Sequence, residues 1–190
     1  MVVFLFKLFR KFNSILKKIS FFLKIYSLKK LYPKRIFIKK GLKFGVFFSV
    51  NFDLTKSKLQ FQNDIIFRDF CTIISGNSSY LKIGNNVFFN NFCSINCLSK
   101  IEIGNDCLFG EAVKIYDHNH SHKDFTKKIN EQGYIFGNVK IGNNCWIGSN
   151  VVILKDVEIG DNVVIGAGCV IHKSISSNKI VINSQNLGFL

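Results

Sequence analysis

A three-sided parallel β-helix is the fold this chain predicts, on three observations. Every sixth residue from Ile141 is isoleucine: Ile141, Ile147, Ile153, Ile159, Ile165 and Ile171. Four positions after each stands a small or branched apolar residue: Cys145, Val151, Val157, Val163, Cys169 and Ile175. Glycine follows the isoleucine directly at Gly142, Gly148, Gly160 and Gly166. An α-helix repeats near 3.6 residues and a strand at two. A period of six fits a chain that lays six residues on each of three faces to close one coil.

The same pattern is legible earlier, with interruptions. Ile83-Gly84 with Val87, Phe89 with Cys93, and Ile95 form one run. A shift of two residues follows, and the pattern resumes at Ile103-Gly104 with Cys107, Phe109-Gly110 with Val113, and Ile115. It then stops between about Asp117 and Asn138. That stretch is polar and holds three of the four histidines, His118, His120 and His122. It is expected to leave the prism as an extended loop, where repeat proteins commonly carry function. Residues 36–80 are rich in Phe, Val and Ile with weak periodicity, and are expected to be strands and irregular first coils capping the open end. The tail from Ser176 reads as too irregular for another full coil.

Residues 1–31 predict an amphipathic helix. Lys7, Arg10, Lys11, Ser14, Lys17, Lys18 and Lys24 recur at three- and four-residue steps among Phe, Leu and Ile. Pro33 is expected to end it, since a proline ring disfavours helix in the preceding residue. The net charge of +14 is concentrated here: residues 1–43 hold 13 Lys/Arg and no acid, while the remainder is close to neutral. No run reaches the roughly 18 apolar residues that span a bilayer. The readings are a helix packed on its own domain or on a neighbouring subunit, and an interfacial helix on an anionic membrane surface. Basic and aromatic residues interleave, but no nucleic-acid-binding motif accompanies them, so nucleic acid is not an expected partner. The chain thus divides into a basic helical segment, 1–35, and a β-helix domain, 36–190, with its loop at about 117–138.

Cys71, Cys93, Cys107, Cys145 and Cys169 all occupy the fifth hexad position, which valine fills elsewhere, so they read as small buried hydrophobes. Cys97 falls outside the pattern. Neither a disulfide framework nor a cysteine zinc site is expected. The apolar start is broken by Lys7, Arg10 and Lys11, so no signal-peptide pattern is present. A cytoplasmic location, peripheral on the inner face of the cell membrane, follows as an expectation.

The segment IGNNCWIGSNVVILKDVEIGDNVVIGAGCVI, at 141–171, resembles the hexapeptide-repeat acyltransferases, which are left-handed parallel β-helices. The likeness covers roughly residues 60–180 and points to the sugar O-acetyltransferase branch. Asp117-His118-Asn119-His120, with Glu131-Gln132-Gly133 downstream, is similar to the members that acetylate surface polysaccharides. The resemblance implies an all-β fold with an N-terminal helix, acetyl-CoA as acyl donor, a sugar hydroxyl as acceptor, no required metal, and a homotrimer with sites between subunits.

It also implies residue roles. A sugar hydroxyl must lose a proton as it attacks a thioester, and histidine suits that task near neutral pH. Aligning IYDHNH on the strand end that carries the family's catalytic histidine puts His118 there, with His120 in reserve. Asn91 and Asp117 are implied contacts of the acceptor. Trp146, Ser149, Gly166, Ala167 and Gly168 map onto a groove for the pantetheine arm, and Lys173 onto a phosphate contact. The bland readings are solvated loop histidines, a turn asparagine at Asn91, and glycines that tight corners need anyway. His118-x-His120-x-His122 is also compatible with a metal site on an extended segment. The family's usual Gly-x-Pro-Ala continuation is absent, the chain reading Val181-Ile182-Asn183-Ser184-Gln185-Asn186 instead. Two rival functions stand beside the first: N-acetylation of an amino sugar or small molecule, and a non-catalytic β-helix scaffold at a membrane.

Overall fold

The computed structural model describes residues 2–53 and 56–184. Val2–Leu31 form one helix. The chain then winds into a solenoid of three parallel sheets. Face A stacks Ile36–Ile38, Lys58–Phe61, Tyr80–Ile83, Lys100–Ile103, Asn138–Ile141 and Val157–Ile159. Face B stacks seven strands, from Lys43–Phe44 through Trp146–Ile147 to Ile180–Val181, and face C six, from Ser49–Phe52 to Val170–Ile171. This is the left-handed β-helix class that the period of six predicts.

Register explains the sequence. Val139 pairs with Val157 and Ile141 with Ile159, eighteen residues on, which is three hexads. The hexad isoleucines and their fifth-position partners from Ile141 to Ile171 are buried, and Ile175 packs against them. The turns between faces A and B and between B and C keep the six-residue step in every coil. All irregularity falls at the third turn, from C to A. Ile153 to Val157 crosses it in four steps, Ile95 to Ile101 in six, Ile73 to Leu81 in eight and Ile115 to Val139 in twenty-four. The two-residue shift and the long loop are therefore insertions at one corner.

The first coils are regular, which corrects the expectation of irregular strands over 36–80. Ile38, Phe44 and Val50, then Phe61, Phe67 and Ile73, keep the step of six. The extra residues at the third corner reset the phase once per coil, and phenylalanine replaces isoleucine at the inward positions. Inside the prism Phe48, Phe67, Phe89 and Phe109 stack at 4.7, 4.6 and 4.4 Å between centroids, offset stacking that adds to area burial. At the other end the tail adds part of a coil, with Ile175 bridging to Ile159 and Ile180–Val181 pairing with Val164–Ile165. Gln185 and Asn186 lie outside the described residues.

Corner residues stack as ladders. The side-chain oxygens of Asn85, Asn105, Asn143 and Asp161 each accept the backbone N–H of the equivalent residue one coil back. The cysteines fill the small inward slot as expected, and they also pair polar groups. Cys71, Cys93, Cys107 and Cys145 donate across the coil to the carbonyls of Asn90, Gly110, Gly142 and Gly160. Cys97, outside the hexad pattern, is fully buried beside the third corner.

Val151 is fully buried inside the regular coils. Val151→Asp places an unpaired carboxylate there at a cost of several kcal/mol. The expected outcome is an insoluble or unfolded chain, read by circular dichroism and solubility; a soluble, cooperatively melting variant is incompatible with this register.

Candidate functional site

The third corner carries the candidate site. His118–His120 pairs antiparallel with Tyr134–Phe136, forming a hairpin arm outside the prism, with His118 opposite Phe136 and His120 opposite Tyr134. The chain re-enters at Gly137, whose N–H donates to the Asp117 carbonyl at 2.7 Å. Gln132 ties the arm's tip together, donating to the carbonyls of Asp124 and Lys127 and accepting from the Asp124 N–H.

Asp117 is the buried centre. One carboxylate oxygen accepts the Leu98 N–H at 2.9 Å and the other the Ser99 N–H at 2.8 Å. Leu98 and Ser99 form the two-residue insertion one coil earlier. The first oxygen also lies 3.0 Å from His118 Nδ1. Expected to touch the acceptor, Asp117 instead has no exposed surface and faces its own backbone and His118. The sequence signal that marks this role is the insertion at 98–99, visible as the two-residue shift. Burial and the neighbouring Asp117 carboxylate push the Cys97 thiol up from its ordinary value.

A carboxylate at Nδ1 holds the proton on that nitrogen and leaves Nε2 as the ring atom able to accept one. The His118 side chain keeps 15% of its surface exposed. Tyr134 packs edge-on against it at 5.3 Å and Tyr116 at 6.2 Å. His120 is exposed, and its ring centroid lies 4.6 Å from that of Tyr134. His122 is exposed, with Nδ1 3.1 Å from the His120 carbonyl. Of the three, only His118 pairs with a carboxylate among the described residues. Among the described residues no group of three His, Cys, Asp or Glu side chains converges on a point.

The remaining predicted positions lie elsewhere. The Asn91 side-chain oxygen accepts the Asp69 N–H at 3.2 Å, one rung of a ladder at the corner between faces B and C. Ser149 takes part at the same corner, its hydroxyl accepting the Glu111 N–H. Trp146 projects from face B with 57% of its surface exposed. Ala167 and Gly168 are exposed and Gly168 has φ +73°. A side chain at Gly148 would strike the Ala167 backbone at 2.6 Å, so coil stacking demands that glycine. At Gly166 the nearest atom is 3.4 Å away, and at Gly168 4.0 Å. There the small residues leave backbone open for a ligand, a fit for an extended arm bearing amides. Lys173 is exposed past the last face C strand. Face C separates this edge from His118: five steps of about 3.3 Å, roughly 17 Å, run from Ala112 to Asp117. Within one chain His118 and the Trp146–Gly168 edge are therefore not brought together.

Comparison with known proteins agrees with this architecture. Residues 138–173 match the family model for bacterial transferase hexapeptide (six repeats). Over those residues the chain carries the repeat that this family model describes. It is 32% identical over 111 residues to a probable acetyltransferase of Mycobacterium tuberculosis, covering 58% of this chain and 37% of that protein. It thus spans little more than a third of the length of that relative. A hexapeptide-repeat-containing acetyltransferase of Vibrio cholerae superposes with a TM-score of 0.56 at 22% identity, covering 83% of this chain and 73% of the other. A mutant N-acyltransferase of Bacillus cereus, in complex with dTDP-4-amino-4,6-dideoxyglucose and coenzyme A, superposes with a TM-score of 0.58 at 17% identity, covering 84% of each chain. At these identities the two structures share the fold.

Asp117→Ala orphans the Leu98 and Ser99 N–H groups, and leaving a buried donor unpaired costs about 1–3 kcal/mol each. The variant is expected to melt several degrees below the parent in a thermal scan, with Asp117→Asn recovering part of the loss.

Proposed function

We propose that the protein is an acetyl-CoA-dependent O-acetyltransferase whose acceptor is a sugar hydroxyl of a surface polysaccharide or its precursor. The Asp117–His118 pair carries this reading. A hydroxyl is a poor nucleophile until its proton leaves, and His118 Nε2 is held in the state that takes it. The acyl donor supplies an activated thioester carbonyl. The acceptor oxygen attacks that carbon as its proton moves to Nε2. The carbon–sulfur bond then breaks, and the imidazolium returns the proton to the thiolate. Asp117 stabilises the imidazolium, and its two backbone donors fix its orientation.

Trp146, Ser149, Gly166, Ala167 and Gly168 are the proposed wall of the coenzyme A groove, and Lys173 the proposed phosphate contact. Their distance from His118 supports a groove shared between copies of the chain, and hence a homotrimer. Face B suits such contacts. After Lys43 its outward column is Ile66, Phe88, Leu108, Trp146, Val164 and Ile180, whereas face A shows Lys82, Glu102, Lys140 and Glu158. Exposed apolar stripes of this length mark interaction surfaces. Asn91 remains an acceptor contact in this reading only through its side-chain nitrogen, since its oxygen serves the ladder.

N-acylation is the second reading, favoured by the amino-sugar complex of the similar Bacillus cereus N-acyltransferase. A neutral amine attacks a thioester without prior deprotonation, so a carboxylate-backed histidine is needed less. The Asp117–His118 pair therefore favours oxygen.

His118→Ala is expected to lower acetyl transfer by about 10²–10⁴-fold with fold and coenzyme A binding retained. Thiol release from acetyl-CoA, measured over panels of sugar and amino-sugar acceptors, reads this. Loss at His120 in place of His118 moves the base, and unchanged turnover in both variants removes the mechanism. Leu108→Asp, on the apolar column of face B, is expected to shift the sedimentation mass from trimer to monomer and to lower turnover with it.

A further inference from the structure

The helix Val2–Leu31 presents an apolar face that its own prism does not cover. Leu5, Leu8, Phe9, Phe12, Ile15, Leu16, Ile19, Phe22, Leu23 and Tyr26 are all exposed, from 46% at Ile15 to 66% at Phe22. At 100° per residue these ten positions fall within about 140° of the helix circumference. The helix meets the solenoid near its C-terminal end, where Lys29 donates to the Ile38 carbonyl at 3.0 Å and a groove forms with Pro33, Ile36–Lys39 and Gln60–Gln62. No described helix is long and apolar enough to cross a membrane.

Charge selects the occupant. Between the apolar positions the sequence carries Lys7, Arg10, Lys11, Lys17, Lys18 and Lys24, and Lys29, Lys30, Lys34, Arg35, Lys39, Lys40 and Lys43 follow, with no acid before Asp53. The apolar stripe keeps a period of seven, Leu5, Phe12, Ile19 and Tyr26, which a coiled coil of identical helices would also need. Such a coil would bring several acid-free cationic helices side by side with no opposite charge to pair them. An anionic lipid surface takes the apolar face into its interface and supplies the missing negative charge.

We infer that this helix lies in the interface of an anionic membrane and holds the solenoid against it, independently of what the Asp117–His118 site does. Flotation of the full chain with vesicles of phosphatidylcholine and phosphatidylglycerol, against phosphatidylcholine alone, tests it. The chain is expected to float with the anionic vesicles only, and bound fraction to fall roughly tenfold when salt rises from about 0.1 to 0.5 M, as the Debye length shrinks. Phe12→Ser with Ile19→Ser should abolish flotation while the thermal melt of the solenoid stays in place. Lys17→Glu with Lys18→Glu, which keeps the apolar stripe, should weaken binding to anionic vesicles by a similar factor. Equal binding to both vesicle types, no binding to either, or a serine variant that changes sedimentation mass but still floats, overturns the inference; the last result assigns the stripe to a second copy of the chain.

Discussion

The structure depends on closure of each coil onto the next through backbone ladders between residues sixteen or more positions apart. Parallel pairing puts equivalent residues directly above one another, so each inward column must fill the same narrow space at every level. Val139 above Val157, or Cys107 beside Cys145, is a choice repeated along the axis. A column tolerates a change of size only gradually. The prism is filled by stacked phenylalanines through its first coils and by isoleucine and valine afterwards. The same rule governs the corners, where an asparagine oxygen caps the N–H one coil away. Stability of such a solenoid is close to a sum of neighbour terms.

That constraint also decides where the chain can carry residues beyond the coils. Two turns of every coil keep the hexad step and leave no spare residue. Only the turn from face C to face A admits extra chain, and each insertion there projects without disturbing the ladders. Asp117 links two such insertions. Leu98 and Ser99, added in one coil, expose N–H groups that no strand partner takes, and Asp117 at the root of the next coil's long insertion accepts both. A fully buried carboxylate would otherwise carry a prohibitive desolvation cost. Its third partner, His118, stands where the arm leaves the prism.

Legibility in the sequence followed the same division. The coils from Ile141 read directly because their third corner has its minimal length and the period runs unbroken. The coils before Ile83 keep the same inward spacing, but five- and four-residue excesses at one corner shift the phase, and Phe44, Phe61 and Phe67 disguise the isoleucine signature. The position of His118 after a coil strand was legible, while its role as base belongs to the proposed function. The burial of Asp117 was not, since its partners lie 18 and 19 residues back and become neighbours only when the coils stack. Asn91 belonged to a ladder for the same reason: its partner Asp69 is one coil away. Cys97 fell outside the hexad yet is buried, because it ends the strand Ser94–Cys97 on the same inward side as Ile95 and packs beside Asp117.

A solenoid grows along one axis, so its ligands approach from the side, and beside His118 the described residues of a single chain offer corners and flat faces. Neither is concave enough to exclude water from a reacting thioester. In the proposed function the arm of residues 118–136 supplies one wall, with Tyr134 and Phe136 beside His118. The open backbone at Gly166 and Gly168 suits the other wall but lies across face C from it. In the proposed trimer, a second copy laid against the apolar column of face B would join a histidine corner of one chain to the glycine edge of another. On this reading the apolar column and the displaced half-sites have one cause: the concavity that chemistry needs is made by assembly, while each chain keeps the unbroken inward columns that let it fold.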